Sequence, residues 1–159
     1  MSVIDKNQAI VTFLQSCPVI QSNSLFFNFG TVEDGATQAT VRSDERALNK
    51  PFIDGSVLKR YTFILDNFRS VAYNPIVSGL SDENVDDFAT VQSILDWINT
   101  QNDLGVYPVF GSDYTIEKME TLTDKPDLVG VDTSLNPPMA IYRISIQIDY
   151  IDKTKRIWN

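Results

Sequence analysis

Apolar and polar residues alternate through most of the C-terminal stretch, residues 139–151. Apolar side chains occupy every second position, and polar residues such as Arg143 and Gln147 stand between them. Because successive side chains of a β-strand point to opposite faces, this pattern predicts a long strand with one buried and one more polar face. A polar second face is typical of an antiparallel strand. The rest of the chain must therefore supply partner strands and a helical cover.

Three stretches in the first half of the chain have strand character. Residues 57–67 alternate in the same way and are the natural partner of the C-terminal strand. Residues 25–29 and 38–42 flank an acidic Glu-Asp-Gly turn, and this arrangement predicts a β-hairpin. The apolar residues that alternate in the strand 57–67 are Tyr61, Phe63 and Leu65.

Less regular stretches separate these elements. Residues 44–55 have no clean period, and we interpret them as a long connection anchored by Phe52 and Ile53. Residues 114–123 predict a strand with a broken apolar face, and residues 128–131 predict a brief strand pairing.

Two helices complete the predicted fold. Residues 82–102 carry apolar residues at spacings of three and four from Val85 to Ile98, and Ser81 is a suitable N-cap. Residues 2–16 predict a shorter amphipathic helix that ends before Pro18. The order of elements predicts one α+β domain over residues 1–159, with a mainly antiparallel sheet and helices packed on one face. Residues 152–159 form a basic C-terminal tail.

Composition limits the partners that this chain is expected to bind. The 159 residues carry a formal net charge of -8, which disfavours wrapping of nucleic acid because duplex affinity depends largely on Lys and Arg. No apolar run approaches the roughly 20 residues that span a bilayer, and the N-terminus lacks a signal-peptide pattern. We therefore expect no membrane association. Cys17 is the single cysteine, so an intrachain disulfide is excluded.

Residue chemistry disfavours an enzyme. The chain has no histidine, which excludes serine-histidine and cysteine-histidine nucleophile pairs. Cys17 precedes Pro18 and is best interpreted as a small buried residue. The carboxylates of residues 82–87 would serve a metal only if oxygen ligands converged from several elements, and a solvated helix start explains them more simply. We predict no catalytic residue, no metal and no cofactor.

The order of the elements and the residue types within them resemble those of a known family. A short helix ends in Cys17-Pro18, and an aromatic strand (LFFNF, residues 25–29) follows it. An Asp-Gly turn and an aromatic strand come next, in residues 53–65, and then an acidic helix with Trp97 near its end. A tyrosine-rich strand closes the chain. Together these features resemble the tail-terminator, or tail-completion, proteins of tailed bacteriophages and phage-derived contractile particles, which are often labelled minor tail or minor capsid proteins.

The resemblance implies a structural role at the neck of a virion. It implies an antiparallel sheet with flanking helices, and assembly as a hexameric ring on the head-proximal end of the tail tube. The ring would stop tube polymerisation and offer the joining surface for the head connector. The implied partners are the chain itself, the tail tube protein and a head-closure or connector protein, and the sheath protein is a further partner that the resemblance allows. DNA would pass through an acidic lumen without specific binding, and synthesis would take place in the bacterial cytoplasm.

Two groups of residues are the candidate contacts. The connection 42–54 has charges of both signs for subunit pairing, although a solvated loop in a monomer is the alternative interpretation. The basic tail is the candidate for docking to the tube, a neighbouring subunit or a sheath. The predicted subunit-interface residues are Asp44, Glu45, Arg46, Lys50 and Phe52, and the predicted docking residues are Lys153, Lys155, Arg156 and Trp158.

Other functions stay open at this point. The chain could be another neck component, such as a head-closure or head-tail adaptor protein. It could be a monomeric module that uses its acidic surface to bind a basic partner, and the native mass would distinguish this from a ring. A metal-dependent hydrolase that uses carboxylates alone is a third class.

Overall fold

A computed structural model describes residues 3–20, 24–30, 32–42, 48–71 and 83–157. These residues form two helices and one seven-stranded sheet. The helices are α1 (Val3–Gln15) and α2 (Glu83–Leu104); the strands are β1 (Leu25–Phe27), β2 (Thr37–Arg42), β3 (Asn49–Pro51), β4 (Val57–Ser70), β5 (Tyr114–Thr121), β6 (Asp127–Asp132) and β7 (Met139–Asp152). The predicted helix start at Ser81 and Asp82 lies outside the described residues.

The two long strands β4 and β7 form the centre of the sheet. They pair antiparallel over their full length, from Val57 opposite Asp152 to Ser70 opposite Met139. Strands β2 and β3 pair with the outer edge of β4, and β5 and β6 pair with the outer edge of β7, all antiparallel. The predicted pairing of the two alternating stretches is therefore confirmed.

Strand β1 departs from the prediction of a hairpin. It pairs parallel to β2, with Leu25 opposite Thr37 and Phe27 opposite Ala39. Just after β1 the backbone passes close to a side chain of that strand, because a Cβ atom built on Gly30 would lie only 2.2 Å from Cγ of Phe26. This close approach needs a residue without a side chain, which the acidic turn motif did not reveal.

The main core lies between the helices and one face of the sheet, and a smaller cluster of Ala36, Phe68 and Met139 lies on the opposite face. Alternate residues of β4 and β7 contribute to the main core, and α1 and α2 pack their apolar faces against it. Phe13 of α1 contacts Trp97 of α2 with ring centroids 4.9 Å apart, so the helices also touch each other. The fold is therefore α+β with a mainly antiparallel sheet and helices on one face, as predicted. The fully buried members of the helices are Ile10, Leu14, Val91, Ile94, Leu95 and Ile98.

Three details of the predicted elements need correction. Val85 is 59% exposed and does not belong to the buried face of α2. Phe52 is 40% exposed and Ile53 is 89% exposed, so neither anchors the connection that precedes β4. That connection also contains a strand, β3, because it pairs with the start of β4 beyond the point where β2 ends.

The broken apolar face of β5 has a local cause. The pairing with β7 shifts register between Ile116 and Lys118. A β-bulge inserts one extra residue into a strand, so the side chains on either side of it no longer alternate regularly. Met119 nevertheless points into the core and is fully buried.

Candidate interaction surfaces

The sheet face opposite the helices carries two cross-strand ion pairs. Arg60 of β4 lies opposite Asp149 of β7, and Asp66 of β4 lies opposite Arg143 of β7. Nε of Arg60 is 2.7 Å from Oδ1 of Asp149, and Nε of Arg143 is 2.8 Å from Oδ1 of Asp66. In both pairs the guanidinium donates a second hydrogen bond to the other carboxylate oxygen, at 3.3 and 3.1 Å. Such bidentate pairs fix geometry as well as charge.

The same face continues as a polar network between these pairs. Nε2 of Gln147 donates to Oε1 of Glu120 at 2.5 Å, and Nζ of Lys118 lies 3.4 Å from Oε1 of Glu120. The hydrogen bond to Asp66, together with its charge, raises the pKa of Arg143 against the opposing effect of burial. On this sheet face the carboxylates of Asp66 and Asp149 are almost buried, and Lys118, Glu120 and Arg143 are the members of the network that another protein could contact. We refer to this face as the open sheet face.

A second surface forms where the turn between β3 and β4 meets the end of the chain. The backbone amide of Ile157 donates to the carbonyl of Asp54 at 2.7 Å, and Nε of Arg156 lies 3.1 Å from Oδ2 of Asp54. Two hydrogen bonds from Ser56 lower the pKa of the Asp54 carboxyl group, which keeps the acceptor ionised. Residues 153–157 are thereby held against the turn.

The backbone of this turn permits a close approach of the tail. Gly55 has a φ of 90°, a conformation that residues with a side chain rarely adopt. A Cβ atom at this position would lie 2.4 Å from the carbonyl oxygen of Lys155. Glycine is therefore needed both for the turn and for the docking of the tail on it.

Residues of the two predicted contact groups lie at this end of the sheet, on both of its faces, because the register of β3 and β4 places Lys50 on the face of Leu58 and Asn49 on the face of Lys59. Lys50 is exposed on β3, next to Asn49, and Asn49 lines a hollow of about 290 Å³ together with Lys155. Phe52 lines a neighbouring hollow of about 500 Å³ with Leu58 and Ile151. We call this surface the basic corner, and it consists of Lys50, Phe52, Ile53, Lys153, Lys155, Arg156 and Ile157.

The other predicted contact residues are not brought into this surface by any observation. Asp44, Glu45 and Arg46 lie outside the described residues, and so does Trp158. Arg156 is already paired with Asp54 of the same chain, so its charge is partly neutralised at the corner.

A third surface lies along β6, at the other end of β7. Leu128, Val129 and Val131 are 57%, 45% and 40% exposed. In the part of the chain that the structure describes, no strand pairs with the outer edge of β6, because its one partner is β7. The sequence predicted that these residues would pair, but alternation alone does not distinguish an edge strand from an inner one. We call this surface the acidic strip, and it consists of Asp124, Asp127, Leu128, Val129, Val131 and Asp132.

A fourth surface is an apolar groove of about 370 Å³ between α1 and the segment after α2. Ala9 and Phe13 line it on one side, and Tyr107, Pro108 and Val109 line it on the other. Val109 is 80% exposed. Residues 105–111 show no periodic pattern that would have predicted this groove.

The titratable groups of the described residues do not converge on a reaction centre. Cys17 is 2% exposed, as predicted for a small buried residue, and burial raises the pKa of its thiol. No group of three His, Cys, Asp or Glu side chains in the described ranges is placed to hold a metal ion. Within those ranges, no helix is both long and apolar enough to cross a membrane.

No protein-family model matches the chain, and a search of curated proteins returns no match.

Proposed function

We propose that this protein is a structural component of a phage or phage-like particle that caps the head-proximal end of the tail tube as a ring. The ring stops tube polymerisation and forms the joining surface for the head connector. The role needs no catalytic step and no cofactor. Its partners are further copies of the chain, the tube protein and the head-closure or connector protein.

The observation that carries the proposal is the one-sided cover of the sheet. Both helices pack on one face, and the other face presents ion pairs such as Arg143 with Asp66. The resemblance to tail terminators implies an antiparallel sheet with flanking helices, and this architecture agrees with it. A sheet with one covered face leaves a stiff polar surface and several strand edges for contacts with other proteins.

Charge is a second support. A formal net charge of -8 per chain would give a ring a strongly acidic surface. Like charges do not trap the phosphate backbone, so DNA would slide through such a ring without adhering.

Native mass measurement together with negative-stain images of the same sample tests the proposal. We expect a ring of about six copies with a central hole, formed either by the purified chain alone or after tail tubes are added. A chain that stays monomeric in both conditions, and leaves the tube ends bare, would contradict the proposal. That result would favour an adaptor role elsewhere in the neck or a monomeric binding module.

A further inference from the structure

Among the described residues, half of the exposed large apolar side chains lie at two places along the sheet. Ile53 and Ile157 are 89% and 69% exposed at the basic corner, where Phe52 adds a third apolar side chain. Leu128, Val129 and Val131 are exposed along the acidic strip. Apolar residues that are grouped at one place and surrounded by charge are typical of surfaces that bind another protein.

The charges around the two groups have opposite signs. Lys50, Lys153 and Lys155 lie close in sequence to the apolar residues of the corner, and none of them has a carboxylate within ion-pair distance among the described residues. At the strip, Asp127 and Asp132 lie opposite Arg143 and Met139 on the open sheet face, whereas Leu128 and Val131 lie on the face of the helices, so carboxylates and apolar side chains flank the same strand edge from its two sides. Each surface therefore combines exposed apolar side chains with charges that the other surface complements.

Carboxylates near the basic corner and cations near the acidic strip do not remove the difference in charge between the two surfaces. At the corner, Asp54 is paired with Arg156 at 3.1 Å and Asp152 with Lys59 at 3.0 Å, so these carboxylates are already neutralised. Two exposed acidic residues also lie there: Glu117 lines the hollow of Phe52 together with Lys118, and the carbonyl of Asp113 accepts a hydrogen bond from the amide of Lys153. At the strip, Lys125 lies between two of the aspartates in sequence. Arg143 lies opposite Asp127 in the register of β6 and β7, but its guanidinium is bound to Asp66.

The two surfaces cannot meet within one chain. The corner lies beside the last residues of β7, whereas β6 pairs with residues 139–143 at its start. At roughly 3.3 Å per residue, the intervening length of β7 separates them by about 30 Å. They also lie on opposite edges of the central pair, because β3 pairs with β4 and β6 pairs with β7.

We propose that the basic corner of one chain docks on the acidic strip of a second copy. Contact between two corners, or between two strips, would bring like charges together and is disfavoured. The contact is therefore head-to-tail, and a head-to-tail contact leads to a closed ring if the rotation between copies closes and to an open filament if it does not. The inference rests on the self-association in the proposed function and adds the surfaces that form it.

The outer edge of β6 is better suited to this contact than the outer edges of β5 and β3. On β5, the backbone amide of Met119 donates to Oδ1 of Asn102 on α2 at 2.9 Å, so the helix covers part of that edge. On β3, Lys50 and Pro51 occupy the edge, and both residue types discourage the addition of a strand. Strand β6 contains neither Lys nor Pro.

Paired charge reversal tests the inference on the full-length chain. One variant reverses the corner (Lys50→Glu with Lys155→Glu), and the other reverses the strip (Asp124→Lys with Asp127→Lys). Sedimentation velocity over a range of concentrations and salt gives the strength of self-association. We expect the wild-type chain to associate and to dissociate with added salt, and each variant alone to associate at least about tenfold more weakly.

Mixing the two variants distinguishes a specific contact from general loss of stability. In the mixture, the acidic corner of one variant faces the basic strip of the other, so we expect association to return with both chains in equal amounts. The control adds positive charge near the C-terminal end of α2, on two exposed residues (Thr100→Lys with Asp103→Lys), and should associate as the wild type does. Circular dichroism melts establish that each variant is folded.

Three results would overturn the inference. They are a wild-type chain that stays monomeric up to about 1 mM, variants that associate as strongly as the wild type, and folded variants that do not associate when mixed. Rings that survive both charge reversals would exclude these surfaces and leave the proposed function standing. Charge-dependent association by a chain that fails to cap tubes would exclude the function and leave these surfaces standing.

Discussion

The ion pairs of the open sheet face combine charge with burial. Asp66 and Asp149 are 6% and 5% exposed, and each accepts two hydrogen bonds from an arginine on the neighbouring strand. A buried carboxylate that loses its cation is left desolvated and unpaired, which costs more than the pair itself contributes. These arginines therefore matter to stability even though the face is polar.

Replacement of one arginine should show this effect. We expect Arg143→Ala to lower the free energy of unfolding by about 2 kcal/mol, because Asp66 stays buried without its partner. The control is Lys59→Ala, which removes a pair with a 41% exposed lysine side chain and should cost no more than about 1 kcal/mol. Urea denaturation measures both. Equal losses in the two variants would contradict the structural difference between the pairs.

Asp152 should contribute to the decrease in the free energy of unfolding at acid pH. Burial acts to raise the pKa of its carboxyl group, but hydrogen bonds from Thr154 and Lys59 outweigh burial and lower the pKa to about 2. Because the folded pKa is below the unfolded value near 3.8, the stabilisation is present above about pH 4 and is lost as the pH falls towards 2.

Removal of the Asp152 carboxylate should weaken the pH dependence of the free energy of unfolding in this range. We expect the unfolding free energy of Asp152→Asn to depend less steeply on pH between about 4 and 2 than that of the wild type. Denaturation at several pH values measures the slope, with Asp103→Asn as an exposed control. An unchanged slope for Asp152→Asn would refute the assignment.

Some contacts between residues have no signature in the sequence. Lys6 is only 7% exposed, and its Nζ lies 4.1 Å from the ring centroid of Tyr114. A lysine near the start of an amphipathic helix normally predicts a solvated position. Its burial depends on a tyrosine more than 100 positions away, and no local pattern reports that distance.

At the scale of elements, the regular patterns predicted the regular structure. The alternation in residues 57–67 and 139–151 predicted both long strands and their pairing, because a period of two has one structural meaning when one face is buried. The direction of β1 was not predictable in this way. A strand of three residues is too short to show a period. The turn that precedes β2 resembles a hairpin turn, although β1 and β2 pair in parallel.

The candidate surfaces were predictable only in part. Lys50, Phe52, Lys153, Lys155 and Arg156 were predicted as contact residues from charge and apolar character; the structure places them at the same end of the sheet, and their role as contacts stays a prediction. The position of the tail depends on its docking at Gly55, which a turn signal alone does not reveal. The acidic strip was missed as a surface because its residues also suit an inner strand.

The turn between β3 and β4 offers a test of how the tail is held. We expect Gly55→Ala to cost at least about 1 kcal/mol, because alanine disfavours positive φ and its Cβ would clash with the carbonyl of Lys155. The amide of Ile157 should then exchange faster with solvent, since its hydrogen bond to Asp54 is disturbed.

Gly130 provides the matched control. A Cβ atom there would have no heavy atom within 4 Å, so Gly130→Ala should leave stability within about 0.5 kcal/mol of the wild type. Thermal melts and hydrogen exchange measure both variants. A Gly55→Ala chain with wild-type stability and wild-type protection of Ile157 would mean that the tail is not held by this turn.

Taken together, the surfaces suit association with further copies of the chain. The helices cover one sheet face, the opposite face carries ion pairs and a small apolar cluster around Phe68, and the basic corner and the acidic strip combine exposed apolar side chains with charges of opposite sign. Because these two surfaces lie near opposite ends of the long strands, the proposed association would proceed in one direction. Closure of that association into a ring would produce a surface that fits the end of a tube.

The elongation of tail tubes in the presence of this chain tests that account most directly. Tube protein from the same particle is allowed to polymerise, the chain is added, and tube length is followed by electron microscopy while a label marks the added chain. We expect elongation to stop at one end of each tube, with the label at that end alone. Tubes that continue to grow with no label at their ends would contradict the assignment of this protein as a tail terminator.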